Sequence, residues 1–198
     1  NGTGKETLLN ILAGIYTSYK GIILYNHVSL VDIEREHLHE SIERNVTNEG
    51  IFSGSLLENI TMNRPNVTMK DAYDTLQELQ LLEVIGQLKE GLQTEMISGG
   101  RRFSSSFAAK IGLARCIVNK PKLLLVSECY EHFDKQYTTD LLKILCAKSA
   151  PWTFVTISND PQVMASCDRV CLLEDGKVIL EGPYESIKND PKFVECTW

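Results

Sequence analysis

Asn1-Gly2-Thr3-Gly4-Lys5-Glu6-Thr7 opens the sequence and runs at once into the apolar stretch Leu8-Leu9-Asn10-Ile11-Leu12-Ala13. Glycines around a small residue, then a lysine, then a helix-forming run make the pattern of a phosphate loop. Gly2 and Gly4 let backbone N–H groups curl round a phosphate, Lys5 supplies a point charge, and the helix N-terminus adds partial positive charge. The cofactor-binding segment is then Gly2, Thr3, Gly4, Lys5, Glu6 and Thr7. One position departs from the pattern: the residue after the lysine should be Ser or Thr, whose hydroxyl holds Mg²⁺, and it is Glu6. A carboxylate about 4 Å from a phosphate oxygen is repelled by roughly 4 kcal/mol at an effective dielectric near 20, about a thousandfold in affinity if it points inward. Turned outward, Glu6 leaves Thr7 to hydrogen-bond a phosphate. The plainer alternative is a glycine-capped helix start whose acidic first-turn residue suits the helix dipole, and the segment alone does not separate the two.

The chain has 198 residues, 43% hydrophobic and 23% charged, enough to bury a core as one domain. Its net charge of −6 argues against nucleic acid as a partner, because no basic excess is available to replace phosphate counterions. Cys116, Cys129, Cys146, Cys167, Cys171 and Cys196 show no metal-ligand spacing and read as reduced core thiols of a cytosolic domain. Asn-x-Thr sequons at Asn1, Asn45, Asn59 and Asn66 read as chance matches. No apolar run approaches the length of a membrane span. A phosphate loop follows a strand, so the expectation is a fragment whose upstream strands and membrane part lie before Asn1.

Beyond the first helix, Lys20 to Asn26 reads as a strand entered through a glycine turn, with Val28 to Ile33 continuing in strand or turn form. His37 and His39 fall in a polar helical stretch, solvated rather than catalytic. Then comes Phe52-Ser53-Gly54-Ser55-Leu56-Leu57-Glu58-Asn59-Ile60. This order resembles the segment after the glutamine loop in exporter-type ATP-binding cassette (ABC) transporter nucleotide-binding domains. From Val67 to Leu92, Ala72, Leu76, Leu79 and Leu82 recur at helical spacing, interrupted near Gly86, and the stretch is similar to that family's helical lobe.

The run Gly91 to Arg115 resembles the family's approach to its signature, with Phe103-Ser104-Ser105-Ser106-Phe107 in place of Leu-Ser-Gly-Gly-Gln. Glycines there let backbone approach the γ-phosphate held by an opposite subunit, and the serine side chains with a bulky Phe107 would obstruct it. Ser104 suits a helix cap. Pro121 to Glu128 has the character of a buried parallel strand and resembles a Walker B strand. Ser127 stands at the Mg²⁺-holding aspartate and Glu128 at the catalytic base.

Asp134 falls at the D-loop aspartate, before an amphipathic helix over Lys135 to Lys148 with Leu141, Leu142 and Leu145 inward. Trp152 to Ser158 reads as another buried strand, followed by Asn159 where the family has a γ-phosphate histidine. Asp168 to Gly182 reads as a hairpin with an Asp-Gly turn, leading to a short helix at Tyr184 to Ile187.

The resemblance covers nearly the whole chain and implies an α/β fold: a phosphate-loop NTPase core with a mostly parallel sheet flanked by helices, plus a helical lobe. Its divisions would be a core of about 1–60 and 116–198 and a helical lobe of about 61–115. It implies ATP as cofactor but leaves Mg²⁺ in doubt, since Glu6, Thr47, Ser127 and Asn159 replace the family's serine, glutamine, aspartate and histidine. Losing one such electrostatic partner costs about a hundredfold to a thousandfold in rate.

The first functional expectation is an exporter cassette of weak or no activity. Lys5 would bind the β- and γ-phosphates, Thr7 and the loop backbone the α-phosphate, and Glu128 would orient water across an interface with a second cassette. The membrane part would precede it, placing the cassette on the cytoplasmic face. The second expectation is a pseudo-ATPase that pairs with an intact cassette and transmits its closure. A soluble ABC ATPase of translation or DNA repair is disfavoured by the acidic balance and by the Phe52 to Ile60 segment.

Overall fold

The computed structural model describes residues 3–45, 51–97, 103–127 and 129–197. In chain order the elements are α1 (Lys5–Leu12), the hairpin strands β1 (Leu24–Tyr25) and β2 (Val28–Ser29), α2 (Arg35–Ser41), β3 (Ile42–Asn45), β4 (Gly54–Ser55), α3 (Leu56–Thr61), α4 (Met69–Glu78) and α5 (Leu82–Gly86). They continue with β5 (Glu95–Met96), α6 (Ser105–Ile117), β6 (Leu123–Ser127), α7 (Lys135–Leu145), β7 (Thr153–Ile157), α8 (Pro161–Ser166), the hairpin β8 (Val170–Glu174) and β9 (Lys177–Gly182), α9 (Tyr184–Ile187) and α10 (Pro191–Thr197).

The centre of the fold is β6. It pairs in parallel with β3 on one side and β7 on the other, and all of its residues are buried. A strand buried on both faces needs an unbroken apolar run, which Leu123-Leu124-Leu125-Val126 supplies. Successive side chains point to opposite faces. Leu124 and Val126 accordingly join the large core with Leu76, Ile111 and Leu141, while Leu123 and Leu125 meet Leu9 of α1 and Ala13 at its C-cap together with Ile157. Helices on both faces of a parallel sheet make the fold α/β.

Several sequence expectations are refined by this arrangement. β7 is exposed at Thr153, half-buried over Phe154–Thr156 and buried only at Ile157, because among the described residues it pairs on one side alone. The stretch from Lys20 forms a strand only at Leu24–Tyr25, and Ile22 stands 80% exposed. The helical run between Val67 and Leu92 breaks at Gln80, whose φ is 55°. Leu79 and Leu81 are both fully inside, and a left-handed residue between them turns the chain so that each reaches the core. The hydroxyl of Tyr137 donates to the freed carbonyl of Leu79 at 3.1 Å.

Other expectations hold in detail. Leu141, Leu142 and Leu145 are buried on α7, and His37 and His39 are exposed on α2. Asp175 and Gly176 both take positive φ, 47° and 74°, as the two-residue hairpin turn between β8 and β9 requires.

The Phe52 to Ile60 segment is held by one amide. Asn59, fully buried, accepts from the Phe52 N–H at 3.0 Å and donates to the carbonyls of Phe52 and Ser55, each at 3.0 Å. Arg115 of α6 donates to its side-chain oxygen at 3.1 Å and to its carbonyl at 2.8 Å. Ser55 and Glu58 close a reciprocal capping box at the start of α3. Asn59→Ala would strand several buried groups at once, at about 1–3 kcal/mol each. Its expected result is a loss of about 3 kcal/mol in urea unfolding without a change in m. Burial of Asn59 and Asn45 also shuts the sequons at those positions away from modification in the folded chain.

Candidate functional site

The parallel strands all end on one side, and a crevice beyond their carboxyl ends is where open α/β sheets bind ligands. At that edge stand Arg44 and Asn45 of β3, Ser127 of β6, and Asn159 just past β7. Helix α1 lies against the sheet through Leu9 and Ala13, and its first turn is tied to Arg44. Gly4 and Lys5 are thereby brought to the same edge.

Gly4 has φ 89° and ψ 8°, a left-handed conformation, and α1 begins directly after it with no side-chain cap. Only glycine adopts this geometry without strain. The early N–H groups of α1 have no intrahelical partners and are available to an anion. No hydrogen bond or ion pair among the described residues engages the Lys5 ammonium. The Thr3 hydroxyl is buried and has no partner among the described residues. A loop with an uncapped helix start, a free ammonium and an orphaned hydroxyl fits a phosphate group.

Glu6 reaches back to β3 while staying half-exposed. Its Oε2 lies 2.7 Å from a terminal nitrogen of Arg44, with Arg44 11% and Glu6 50% exposed at the side chain. The other terminal nitrogen of Arg44 donates to Asn10 Oδ1. Glu6 and Asn10 are four residues apart on α1 and share one face, so a single guanidinium clamps the first two turns to β3. A pair with one half-exposed member contributes about 1 kcal/mol or less to stability; its main consequence is that the carboxylate next to Lys5 is neutralised. Arg44 was not singled out from the sequence. The available signal was the Glu6/Asn10 stripe beside the buried Leu9/Ala13 stripe, a polar pair in need of a partner.

Ser127 ends β6 opposite Ile157 of β7 and is 2% exposed. Asn159 is exposed, and the Asp160 that follows it caps α8 by accepting from the Gln162 N–H at 2.8 Å. Thr7 is exposed on α1. Gly2, Thr47 and Glu128 lie outside the described residues.

Asp134 is the N-cap of α7, accepting from the Tyr137 N–H at 2.8 Å. Ser104 caps α6, accepting from the Phe107 N–H at 3.1 Å, with Ser105 exposed and Ser106 half-buried behind it. Phe107 does not project towards a partner, as the sequence suggested. It is 7% exposed, packed in the core and stacked on Phe103 with ring centroids 5.1 Å apart. Phe107 therefore adds nothing to the obstruction expected of the serines.

Burial governs the thiols nearby. It pushes Cys129, just past the strand end, up to about 12, and raises Cys116 of α6 further still. Neither is a nucleophile at neutral pH. Among the described residues there is no group of three or more His, Cys, Asp or Glu placed to hold a metal, and no helix is long and apolar enough to cross a membrane.

Known proteins share this organisation. The microcin-J25 export ATP-binding/permease protein McjD of Escherichia coli is 24% identical over 194 residues, covering 98% of this chain and 33% of that protein. The glutathione/L-cysteine transport system ATP-binding/permease protein CydD of Escherichia coli (strain K12) is 25% identical over 187 residues, 94% of this chain and 32% of that protein. The chain thus spans about a third of the length of the curated relatives it matches. A solved bacterial Atm1-family ABC exporter with ATP bound superimposes with a TM-score of 0.90 at 21% identity, over 98% of this chain and 35% of that one; at that identity the likeness is one of fold. The model of the family described as ABC transporter matches residues 1–131, and the chain belongs to the ABC transporter family.

Proposed function

We propose that this chain is the ATP-binding cassette of an ABC exporter, one that holds ATP on its phosphate loop and hydrolyses it slowly. The observation that carries the reading is the left-handed Gly4 leading into the uncapped start of α1, with Lys5 beside it, at the carboxyl edge of a parallel sheet. Lys5 holds the β- and γ-phosphates, and Thr7 with the loop backbone holds the α-phosphate. Glu128, next in sequence to Ser127, is the base that orients water. The carboxylate and amide partners of that water and its metal are replaced by Ser127 and Thr47, and Asn159 offers the γ-phosphate an amide that cannot carry a proton.

The cassette divides into a core of about 1–60 and 116–198 and a helical lobe of about 61–115. It works on the cytoplasmic face of a membrane, joined to a membrane part of the same polypeptide and closing against a second cassette. The ATP-binding/permease names of its relatives support that placement. Slow turnover is supported by the pairing of Glu6 with Arg44 and by the neutral Ser127 at the end of β6.

Titration of the purified full chain with ATP tests the reading, with micromolar affinity as the expected result. Lys5→Ala removes a charge-assisted contact of about 1.5–3 kcal/mol and is expected to weaken binding by roughly ten- to a hundredfold. Failure to bind ATP would favour the second reading, a pseudo-ATPase that pairs with an intact cassette and transmits its closure. The neutral Ser127 at the end of β6 favours that reading too.

A further inference from the structure

The family's chemistry places Mg²⁺ beside the loop lysine, held by a hydroxyl and a carboxylate, and the side chains standing there do not fit that ion. Glu6 occupies the hydroxyl's position but is committed to Arg44 at 2.7 Å. Ser127 brings a neutral group where the carboxylate would be. A divalent ion approaching Glu6 meets a guanidinium of its own sign on the same carboxylate, one that Asn10 also holds.

We propose that Arg44 stands in for the metal, so that the loop binds a nucleoside triphosphate without Mg²⁺. The inference rests on the reading of the loop as an ATP site. Arginine suits the task because it stays charged at any accessible pH and its planar fork serves two acceptors at once. Here the fork joins Glu6 to Asn10 across two turns of α1, fixing the charge in place before any ligand arrives. At 11% side-chain exposure it is little screened by salt. Its Nε is buried and has no partner among the described residues, so the two terminal nitrogens carry the contacts to Glu6 and Asn10. Cancelling Glu6 removes the repulsion that the carboxylate would otherwise exert on the phosphates, and Lys5 and the helix start then act unopposed.

Calorimetric titration of the full chain with ATP in magnesium buffer and in EDTA decides the matter. The two dissociation constants are expected to agree within about threefold. Arg44→Ala uncovers Glu6, so its affinity in EDTA is expected to fall by about tenfold or more and to recover when Mg²⁺ is added and taken by the freed carboxylate. Glu6→Gln preserves the side chain's shape, leaves the Arg44 charge uncancelled and is expected to bind ATP in EDTA more tightly than the parent, whether or not Arg44→Ala folds. A parent affinity that rises more than about threefold with Mg²⁺, or a Glu6→Gln variant that binds only with it, overturns the proposal while leaving the ATP site standing. No binding in either buffer removes the ATP site and the proposal with it.

Discussion

In single-turnover measurements the full chain is expected to hydrolyse ATP about a hundred- to a thousandfold more slowly than its own Glu6→Ser/Ser127→Asp variant. The estimate follows from what the two positions do in phosphoryl transfer. Phosphoryl transfer is catalysed by positioning and electrostatics, and a metal held at these positions would supply much of the charge. On the proposed reading the field is weak in the parent, because Glu6 and Arg44 cancel each other and Ser127 carries no charge. The variant restores a hydroxyl beside Lys5 and a carboxylate at the end of β6.

Arg44, released from Glu6, keeps Asn10 and remains a cation beside the phosphates, where it does not oppose the reaction. The effects of the two changes need not add, since residues of one site act together. A stability readout accompanies the rate. Position 127 is 2% exposed, so a carboxylate there without a metal is poorly solvated, and the variant is expected to melt below the parent unless Mg²⁺ and ATP are present. A parent rate equal to the variant's, and abolished by Glu128→Gln, would show that hydrolysis proceeds without the replaced groups.

The parts of the fold that were legible in the sequence are those decided by local pattern. Leu123 to Val126 is an apolar run too short for a helix between Pro121 and Ser127, and a strand buried on both faces follows from it. The Asp175-Gly176 turn and the Ser104 cap are likewise set by residues within reach of one another. What was illegible depended on distant partners. Gln80 takes a left-handed conformation because Leu79 and Leu81 must both face inward and because Tyr137, 58 positions on, meets the Leu79 carbonyl. Phe107 was misplaced because its spacing from the serines says nothing of the core that receives it. The central fact of the candidate site, Arg44 on Glu6, joins residues 38 positions apart; the sequence shows an anomalous carboxylate, while only the packing of α1 on β3 shows what answers it.

The strand beneath the site sets the second large effect. Leu124 is fully buried in β6 and faces the large core, with β3 and β7 fixing its backbone on both sides. A position locked by two neighbouring strands cannot collapse around a void, so Leu124→Ala loses the transfer free energy of the removed atoms and keeps most of the cavity. Changes of this kind cost about 2–5 kcal/mol, and the rigid setting places this one at about 3–4. Against a typical domain stability of about 5–15 kcal/mol, that is a large fraction. For a chain of this size it corresponds to a fall in Tm of roughly 6–16 °C. Val178→Ala, on the exposed side of β9 at 53%, is the matched control and is expected to move Tm by about 2 °C or less. At a temperature where both variants are folded, ATP affinity should be unchanged in each, because Leu124 points away from α1 and its loop. If Leu124→Ala instead weakened ATP binding as strongly as Lys5→Ala while retaining its Tm, β6 would be shaping the loop directly, and the separation of a stabilising face from a ligand-facing face would have to be abandoned.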